Sequence, residues 1–137
     1  LYYPSNYEVN VIKFLENKYM LNQNLLLPVI EKKNFMNFFP WKNKDILLVN
    51  KFGFLEPFKT KAHTPDIMLV PILAYDKNKY RLGYGKGFYD HYLGKFLKKF
   101  KNILTVGVAF SFQKYHKIPK SKNDIKLDFI LTEKGIF

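Results

Sequence analysis

The sequence contains no cysteine, only one arginine among its 23 basic residues, and no apolar run long enough to cross a membrane. The missing cysteine excludes disulfides, thiolate metal ligands and a thiol nucleophile, and it is compatible with a reducing compartment. A membrane-spanning helix needs about 20 consecutive apolar residues, and a secretory signal needs a basic and then an apolar N-terminus. Because the chain shows neither pattern, we expect a cytoplasmic protein with no membrane partner.

The remaining composition is that of a folded domain with a strongly positive charge. A chain of 137 residues that is 47% hydrophobic can bury a core, so we expect residues 1–137 to form a single monomeric domain. The net charge of +12 and the many aromatic residues raise the question of nucleic-acid binding. The lysines are scattered, however, and no nucleic-acid-binding motif is present, so we do not expect a nucleic-acid partner.

The most informative segment runs from Arg81 to Asp90 and reads Arg-Leu-Gly-Tyr-Gly-Lys-Gly-Phe-Tyr-Asp. Glycines at 83, 85 and 87 let the backbone adopt positive φ, so that its N–H groups can approach a bulky anion such as phosphate. The single arginine lies at the start of this segment, where a planar bidentate donor suits the same ligand. The spacing fits neither the dinucleotide fingerprint nor the P-loop, and a simple flexible turn is the structural alternative.

The segments around the glycine loop predict an α/β fold. An apolar run within residues 66–76 predicts a buried parallel strand, and helical spacing of apolar residues from 88 to 100 predicts a helix whose N-terminus faces the loop. Further buried strands are predicted at 24–30, 103–110 and 127–132, with Pro28 marking an edge or a bulge. We also expect a strand at 1–3, a helical stretch ending near residue 22, an extended segment at 35–41 and turns at 52–57. Together they predict a layered, mostly parallel sheet flanked by helices, in a Rossmann-like arrangement.

These residues carry a resemblance to the 5-formyltetrahydrofolate cyclo-ligase family, also called methenyltetrahydrofolate synthetase, over nearly the whole chain. The positions that follow the family in order and spacing are Glu8-Val9, Leu27-Pro28, Phe52-Gly53, Glu56-Pro57, Asp66, Val70-Pro71, Ala74-Tyr75-Asp76, Arg81 to Asp90, Asp124, Leu127-Asp128 and Thr132-Glu133. The resemblance implies the cyclo-ligase type of fold. It also implies an ATP- and Mg²⁺-dependent conversion of 5-formyltetrahydrofolate, in some cases polyglutamylated, to 5,10-methenyltetrahydrofolate, with release of ADP and phosphate.

The same resemblance assigns roles to individual residues. It implies a catalytic role for Arg81, which can neutralise charge on a transferred phosphoryl group. Lys86 stands where many family members have glycine, and its own positive charge makes it the second expected catalytic residue. The ATP-binding residues it implies are Arg81, Leu82, Gly83, Tyr84, Gly85, Lys86, Gly87, Phe88 and Tyr89. Asp90 and Asp124 become the expected Mg²⁺ ligands, with Asp128 as the alternative to Asp124.

Glu8, Trp41, Tyr84 and Tyr89 become the expected folate contacts, although each of them also has an ordinary structural explanation. Glu8 would otherwise be a helix N-terminal acid, and the aromatic residues would be packing residues. A non-catalytic basic α/β module that binds RNA or a phosphorylated metabolite stays open as the alternative function.

One feature departs from the family. Its members begin with a basic N-terminal helix that helps to hold ATP, whereas this chain starts at the strand that follows. We therefore expect an N-terminally truncated cyclo-ligase domain.

Overall fold

The computed structural model describes residues 1–5, 7–20, 22–31, 35–96 and 103–137. Within these residues the strands and the α-helix are β1 (Leu26–Ile30), β2 (Met36–Pro40), β3 (Leu48–Val49), β4 (Leu55–Glu56), β5 (Ile67–Pro71), β6 (Ala74–Tyr75), β7 (Arg81–Leu82), α1 (Phe88–Phe96), β8 (Leu104–Val108), β9 (Phe129–Thr132) and β10 (Gly135–Ile136). Short 3-10 helices occur at Val11–Glu16, Lys18–Met20 and Ser111–Gln113.

The central sheet has four strands in the order β10-β9-β8-β5. Two of its three strand pairings are parallel, β5 with β8 and β8 with β9, whereas β10 pairs antiparallel with β9. The buried strands predicted within 66–76, 103–110 and 127–132 are therefore confirmed, as is the parallel pairing. After an exposed first residue, every position of these strands is buried or partly buried, which explains why they form continuous hydrophobic runs in the sequence.

The crossover from β5 to β8 carries the glycine loop and α1. Helix α1 buries Tyr92 and Leu93 in the main core, where the Tyr92 ring meets the Phe38 ring edge-on at 5.0 Å. Gly107 in β8 allows close packing, because a Cβ at that position would lie 2.7 Å from Leu127 Cδ1. The predicted helix is confirmed from residue 88 to residue 96, and its predicted continuation to Phe100 lies outside the described residues.

One prediction for the N-terminal region needs correction, and a second is confirmed with the helix type added. Residues 1–3 do not form a strand, although Tyr2 is buried and its hydroxyl donates to the Val9 carbonyl at 2.8 Å. The helical stretch that follows is 3-10 rather than α-helical. Asparagine explains the second difference, because Asn10 and Asn17 each accept a hydrogen bond from the backbone N–H two residues later and so interrupt a regular α-helix.

The hairpin of β1 and β2 forms a separate two-stranded sheet beside the core. Both of its strands are edges, which confirms the prediction from Pro28 and agrees with the extended segment predicted at 35–41. The region 52–57, predicted as turns, contains the turn between the short strands β3 and β4, with Gly53 at a φ of 81°.

The architecture is thus mixed α/β with a mostly parallel central sheet and few helices. Among the residues described, α1 is the one α-helix packed on this core, so helices on both faces in a Rossmann-like arrangement stay a prediction. In the same part of the chain, no helix is long and apolar enough to span a membrane.

Candidate functional site

A cavity of about 140 Å³ opens at the carboxyl end of β5, the edge where α/β sheets commonly bind ligands. Pro71, the last residue of β5, lies in its wall. The glycine loop and the start of α1 form one side, the N-terminal segment forms a second side, and the β1–β2 and β3–β4 hairpins close the rest. Segments distant in the sequence therefore share one concave site.

The glycine loop lies between β7 and α1, as predicted, but the strand before it differs from the prediction. A short hairpin of β6 and β7 follows the buried strand β5 and delivers the chain to the loop. Gly85 and Gly87 have φ values of 83° and 64°, and nothing lies within 4 Å of a Cβ built at either position. These glycines are therefore required by backbone conformation rather than by close packing.

Arg81 and Asp90, at the two ends of the glycine segment, form a buried ion pair. Arg81 Nη2 lies 2.8 Å from Asp90 Oδ2, and their side chains are only 5% and 22% exposed. The backbone of Ile125 completes the arrangement, because its carbonyl accepts from Arg81 Nη1 at 3.1 Å and its N–H donates to Asp90 Oδ1 at 3.0 Å. This clamp joins the glycine loop, α1 and the segment before β9 at one point.

The two late aspartates that the sequence left as alternatives lie in different surroundings. Asp128 Oδ2 accepts hydrogen bonds from the backbone N–H and the hydroxyl of Thr105 at 2.8 and 2.7 Å, so it ties the start of β9 to β8. Asp124 directly precedes Ile125, whose backbone contacts both Arg81 and Asp90. Asp124 is therefore the sequence neighbour of the residue that contacts Arg81 and Asp90, whereas the Asp128 carboxylate stabilises the pairing of β8 and β9.

Glu8 faces the glycine loop across the cavity. Its carboxylate accepts hydrogen bonds from the Ser5 backbone N–H at 2.8 Å and from the Tyr84 hydroxyl. Burial raises the pKa of Glu8, while the hydrogen bonds from Ser5 and Tyr84 act in the opposite direction. The carboxylate is thus held in place and partly removed from water, as suits a residue that accepts hydrogen bonds from a ligand.

Tyrosines surround this carboxylate. Burial, and then the negative charge of Glu8, raise the pKa values of Tyr2 and Tyr89, so both hydroxyls keep their protons. Tyr84 belongs to the same group, with its pKa raised by burial and by Glu8, although 47% of the residue is exposed on the loop. The cavity therefore presents neutral tyrosine hydroxyls beside one carboxylate, and two of them already donate within the protein, Tyr2 to the Val9 carbonyl and Tyr84 to Glu8.

Most of the predicted site residues meet at this cavity. The residues of the predicted set that line it are Glu8, Arg81, Gly83, Tyr84, Lys86, Gly87, Phe88, Tyr89 and Asp90. Trp41, Leu82, Gly85 and Asp124 are outside the lining. Trp41 packs with Leu15 and Leu27 in a separate core cluster, and its Nε1 donates to the Asp45 carbonyl at 3.3 Å.

The cavity also includes residues to which the sequence assigned no role. Met36 and Ile30 from the first hairpin and Phe54 from the second supply apolar walls. Glu56 lies beside them, and its Oε1 accepts from the Ile30 N–H and from Asn50 Nδ2, both at 2.7 Å. Glu56 is itself a family-like position and Phe54 lies between the family-like pairs Phe52-Gly53 and Glu56-Pro57, which was the available sequence signal for them.

The donor set is compatible with ATP and Mg²⁺. In the described part of the chain no group of three or more His, Cys, Asp or Glu side chains could hold a metal by itself. Mg²⁺ bound with a nucleotide usually takes one or two carboxylates and completes its shell with phosphate oxygens and water. Among the described residues, each carboxylate oxygen of Asp90 has one hydrogen-bond or ion-pair partner, so each keeps a lone pair that can coordinate a metal ion. Lys86 adds a positive charge at the loop.

Comparison with known proteins identifies a family that this chain resembles along most of its length. The profile of the 5-formyltetrahydrofolate cyclo-ligase family matches residues 1–133. A 5-formyltetrahydrofolate cyclo-ligase from Haemophilus influenzae is 30% identical over 139 residues, which span 96% of this chain and 73% of the relative.

Two solved structures share the fold. The 5,10-methenyltetrahydrofolate synthetase from Mycoplasma pneumoniae has a TM-score of 0.69 and 27% identity, and the match covers 95% of this chain and 69% of that one. The synthetase from Aquifex aeolicus has a TM-score of 0.73 and 30% identity, with coverage of 98% and 68%.

Proposed function

This chain belongs to the 5-formyltetrahydrofolate cyclo-ligase family, and on that premise we propose that its cavity carries out the family's reaction. That reaction is the ATP-dependent conversion of 5-formyltetrahydrofolate to 5,10-methenyltetrahydrofolate. The observation that carries the proposal is the meeting of the glycine loop, the Arg81–Asp90 pair and Glu8 around one cavity at the carboxyl edge of the sheet.

The glycine loop is suited to hold the terminal phosphates of ATP. Positive φ at Gly85 and Gly87 turns successive N–H groups, and Lys86 between them supplies a positive charge. Arg81 uses two of its five N–H donors on Asp90 and Ile125, so the others can contact a phosphate while the clamp stays closed. Charge that develops on the transferred phosphoryl group is neutralised by these donors, which are oriented before the reaction.

The chemistry needs phosphoryl transfer because an amide-like formyl group is a poor electrophile. In the first step the formyl oxygen attacks the γ-phosphorus, and the bond to ADP breaks. In the second step N10 attacks the formyl carbon, the carbon–oxygen bond breaks, phosphate leaves with that oxygen, and N10 loses its proton. The cavity has to place these groups in line, which is the main contribution of a protein to phosphoryl transfer.

Glu8 and the tyrosines are suited to hold the reduced pterin. A carboxylate accepts hydrogen bonds from ring N–H and amino groups, and the apolar walls formed by Met36 and Phe54 exclude water from the ring. In this proposal Tyr89 and Tyr84 contact the same ligand. Trp41 acts only indirectly, through the edge-on contact of its ring with the Tyr3 ring at 6.4 Å.

Asp90 and Asp124 are the proposed Mg²⁺ ligands, with Asp90 in the cavity wall and Asp124 beside the clamp. Bound Mg²⁺ would supply charge neutralisation at the phosphates. The chain's own residues hold the two carboxylates, since the Ile125 N–H donates to Asp90 Oδ1 at 3.0 Å and the Ser121 N–H donates to Asp124 Oδ2 at 2.6 Å. We place the activity in the cytoplasm and in a monomer, and we include polyglutamylated folate among the substrates, as parts of the same proposal.

The direct test follows formation of methenyltetrahydrofolate by absorbance, with ATP, Mg²⁺ and 5-formyltetrahydrofolate. Lys86→Ala removes a charge from an exposed loop without touching the core, and we expect kcat to fall by about 100-fold. Lys13→Ala removes a charge of the same kind from an exposed position outside the cavity and should leave turnover unchanged.

Two results would count against the proposal. Absence of turnover in the unaltered chain would refute the ligase activity, and equal rates for Lys86→Ala and Lys13→Ala would refute the role of the glycine loop. In the first case, binding of single-stranded RNA that weakens steeply with salt would favour the basic binding module instead.

A further inference from the structure

The cavity is too small for the whole substrate of the proposed reaction. Sites that enclose drug-sized ligands span roughly 300–1,000 Å³, whereas this cavity holds about 140 Å³. A volume of that order suits one ring system, such as the reduced pterin that carries N5. The p-aminobenzoyl group and the glutamate of a folate must therefore lie outside it.

A second depression, of about 420 Å³, adjoins the cavity and has no role in the chemistry described above. Met36 lies in the walls of both, so the two spaces adjoin at this residue. Helix α1 continues from one to the other, since Phe88 borders the cavity while His91 and Lys95 border the depression. A ligand that leaves the cavity past Met36 would enter this second space directly.

The depression carries positive charge in excess. Its ionisable side chains are Lys59, Lys95, His91, Glu31 and Tyr92, and burial raises the pKa of Tyr92, so that its hydroxyl stays neutral. Neither lysine forms an ion pair with a carboxylate among the residues described, whereas Glu31 is engaged through Oε2 by Asn37 Nδ2 at 3.0 Å. Within the part of the chain that the structure describes, two ammonium groups without a carboxylate partner therefore line the depression together with one carboxylate that is already hydrogen-bonded.

Aromatic contacts hold one of these cations in position. Lys95 Nζ lies 5.5 Å from the centroids of both the Phe35 and the Phe96 rings, and the Phe35 ring also meets the His91 ring edge-on at 6.2 Å. Such contacts reduce the freedom of a long side chain while leaving its ammonium group able to bind an anion. The Phe35 ring, 45% exposed, adds an aromatic surface on the path from the cavity.

We propose that this depression binds the glutamate end of the folate substrate, with Lys59 and Lys95 as the carboxylate-binding residues. The inference rests on the proposed function, because it assigns the part of the same substrate that the cavity cannot hold. The ligand class is an aromatic amide that ends in a dicarboxylate, and two lysines match its two carboxylates.

The experiment compares 5-formyltetrahydrofolate with 5-formyltetrahydropteroate, which keeps N5, N10 and the aromatic ring but lacks the glutamate. KM, kcat and the equilibrium affinity by calorimetry are measured for the unaltered chain, Lys59→Ala, Lys95→Ala, the double variant and the control Lys13→Ala. We expect each single variant to raise KM and Kd for the folate by about threefold to fivefold, and the double variant by about tenfold, with kcat unchanged. With the pteroate, all chains should bind alike.

Several outcomes would overturn the proposal. An unchanged folate affinity in the double variant, or an equal loss of affinity for folate and pteroate, would show that the lysines do not bind the glutamate carboxylates. A rise in KM for ATP alone would assign the depression to the nucleotide. Affinity is measured separately from turnover. A chain that binds folate through these lysines but does not cyclise it would therefore refute the proposed function while supporting the glutamate site in the depression.

Discussion

The Arg81–Asp90 pair gives the sharpest prediction about stability. Arg81→Ala removes a guanidinium that is 5% exposed, and it leaves Asp90 without its counter-ion and the Ile125 carbonyl without its donor. Breaking a fully buried ion pair from one side costs about 3–5 kcal/mol. Since Asp90 keeps the Ile125 N–H and is 22% exposed, we expect the lower end, about 3 kcal/mol.

The assay is equilibrium urea unfolding of the unaltered chain, Arg81→Ala, Asp90→Ala and the double variant. Because the second truncation removes a partner that is already lost, we expect the double variant to be less destabilised than the sum of the single variants, by about 1–3 kcal/mol. Lys13→Ala, an exposed control, should stay within about 0.5 kcal/mol of the unaltered chain. Strict additivity of the two truncations, or an Arg81→Ala chain as stable as the control, would refute the reasoning.

Three further predictions concern the loop, the core and pH. Gly85→Ala should cost about 1 kcal/mol because φ is 83°, whereas Gly83→Ala, with open space and no positive φ, should be neutral; equal urea midpoints for the two would contradict this. Gly107→Ala should cost about 1–3 kcal/mol, since its Cβ would lie 2.7 Å from Leu127 Cδ1 and 2.9 Å from Ile130 Cδ1, and a variant as stable as the unaltered chain would show that these side chains relax freely. Burial raises the pKa of Glu8, so its contribution to stability is full below the unfolded pKa and is lost as pH rises through the folded pKa. Urea unfolding between pH 4 and 7 should therefore show the unaltered chain losing stability relative to Glu8→Gln as pH rises, and the opposite trend would disprove it.

Local sequence signals were sufficient for the central elements. The apolar runs that became β5, β8 and β9 are continuous because, after the first residue, every position of these strands is buried or partly buried, so they can be recognised without knowledge of their partners. The glycines at 85 and 87 could also be interpreted locally, since positive φ is a property of the residue itself. The family resemblance then connected this loop with a ligand.

Other features depended on partners distant in the chain. The strand expected at residues 1–3 is absent, and the helical stretch expected after it is present as 3-10 helix, where Asn10 and Asn17 bond to the backbone two residues later. Trp41 was a reasonable candidate for the folate pocket by residue type. In the structure it packs against Leu15 and Leu27 instead, outside the lining of the cavity. The spacing of residues in the sequence contains no information on that choice.

The sequence by itself determined the parallel core strands, the helix that begins at Phe88 and the loop built for an anion, because each depends on periodicity or on backbone freedom within a few residues. Only the tertiary structure decided that Ile125 contacts both Arg81 and Asp90, that Asp128 bonds to Thr105 in the sheet, and that Met36 borders both the cavity and a lysine-lined depression. These arrangements join residues tens of positions apart, and their energies come from desolvation and hydrogen bonding that exist only once the chain has packed.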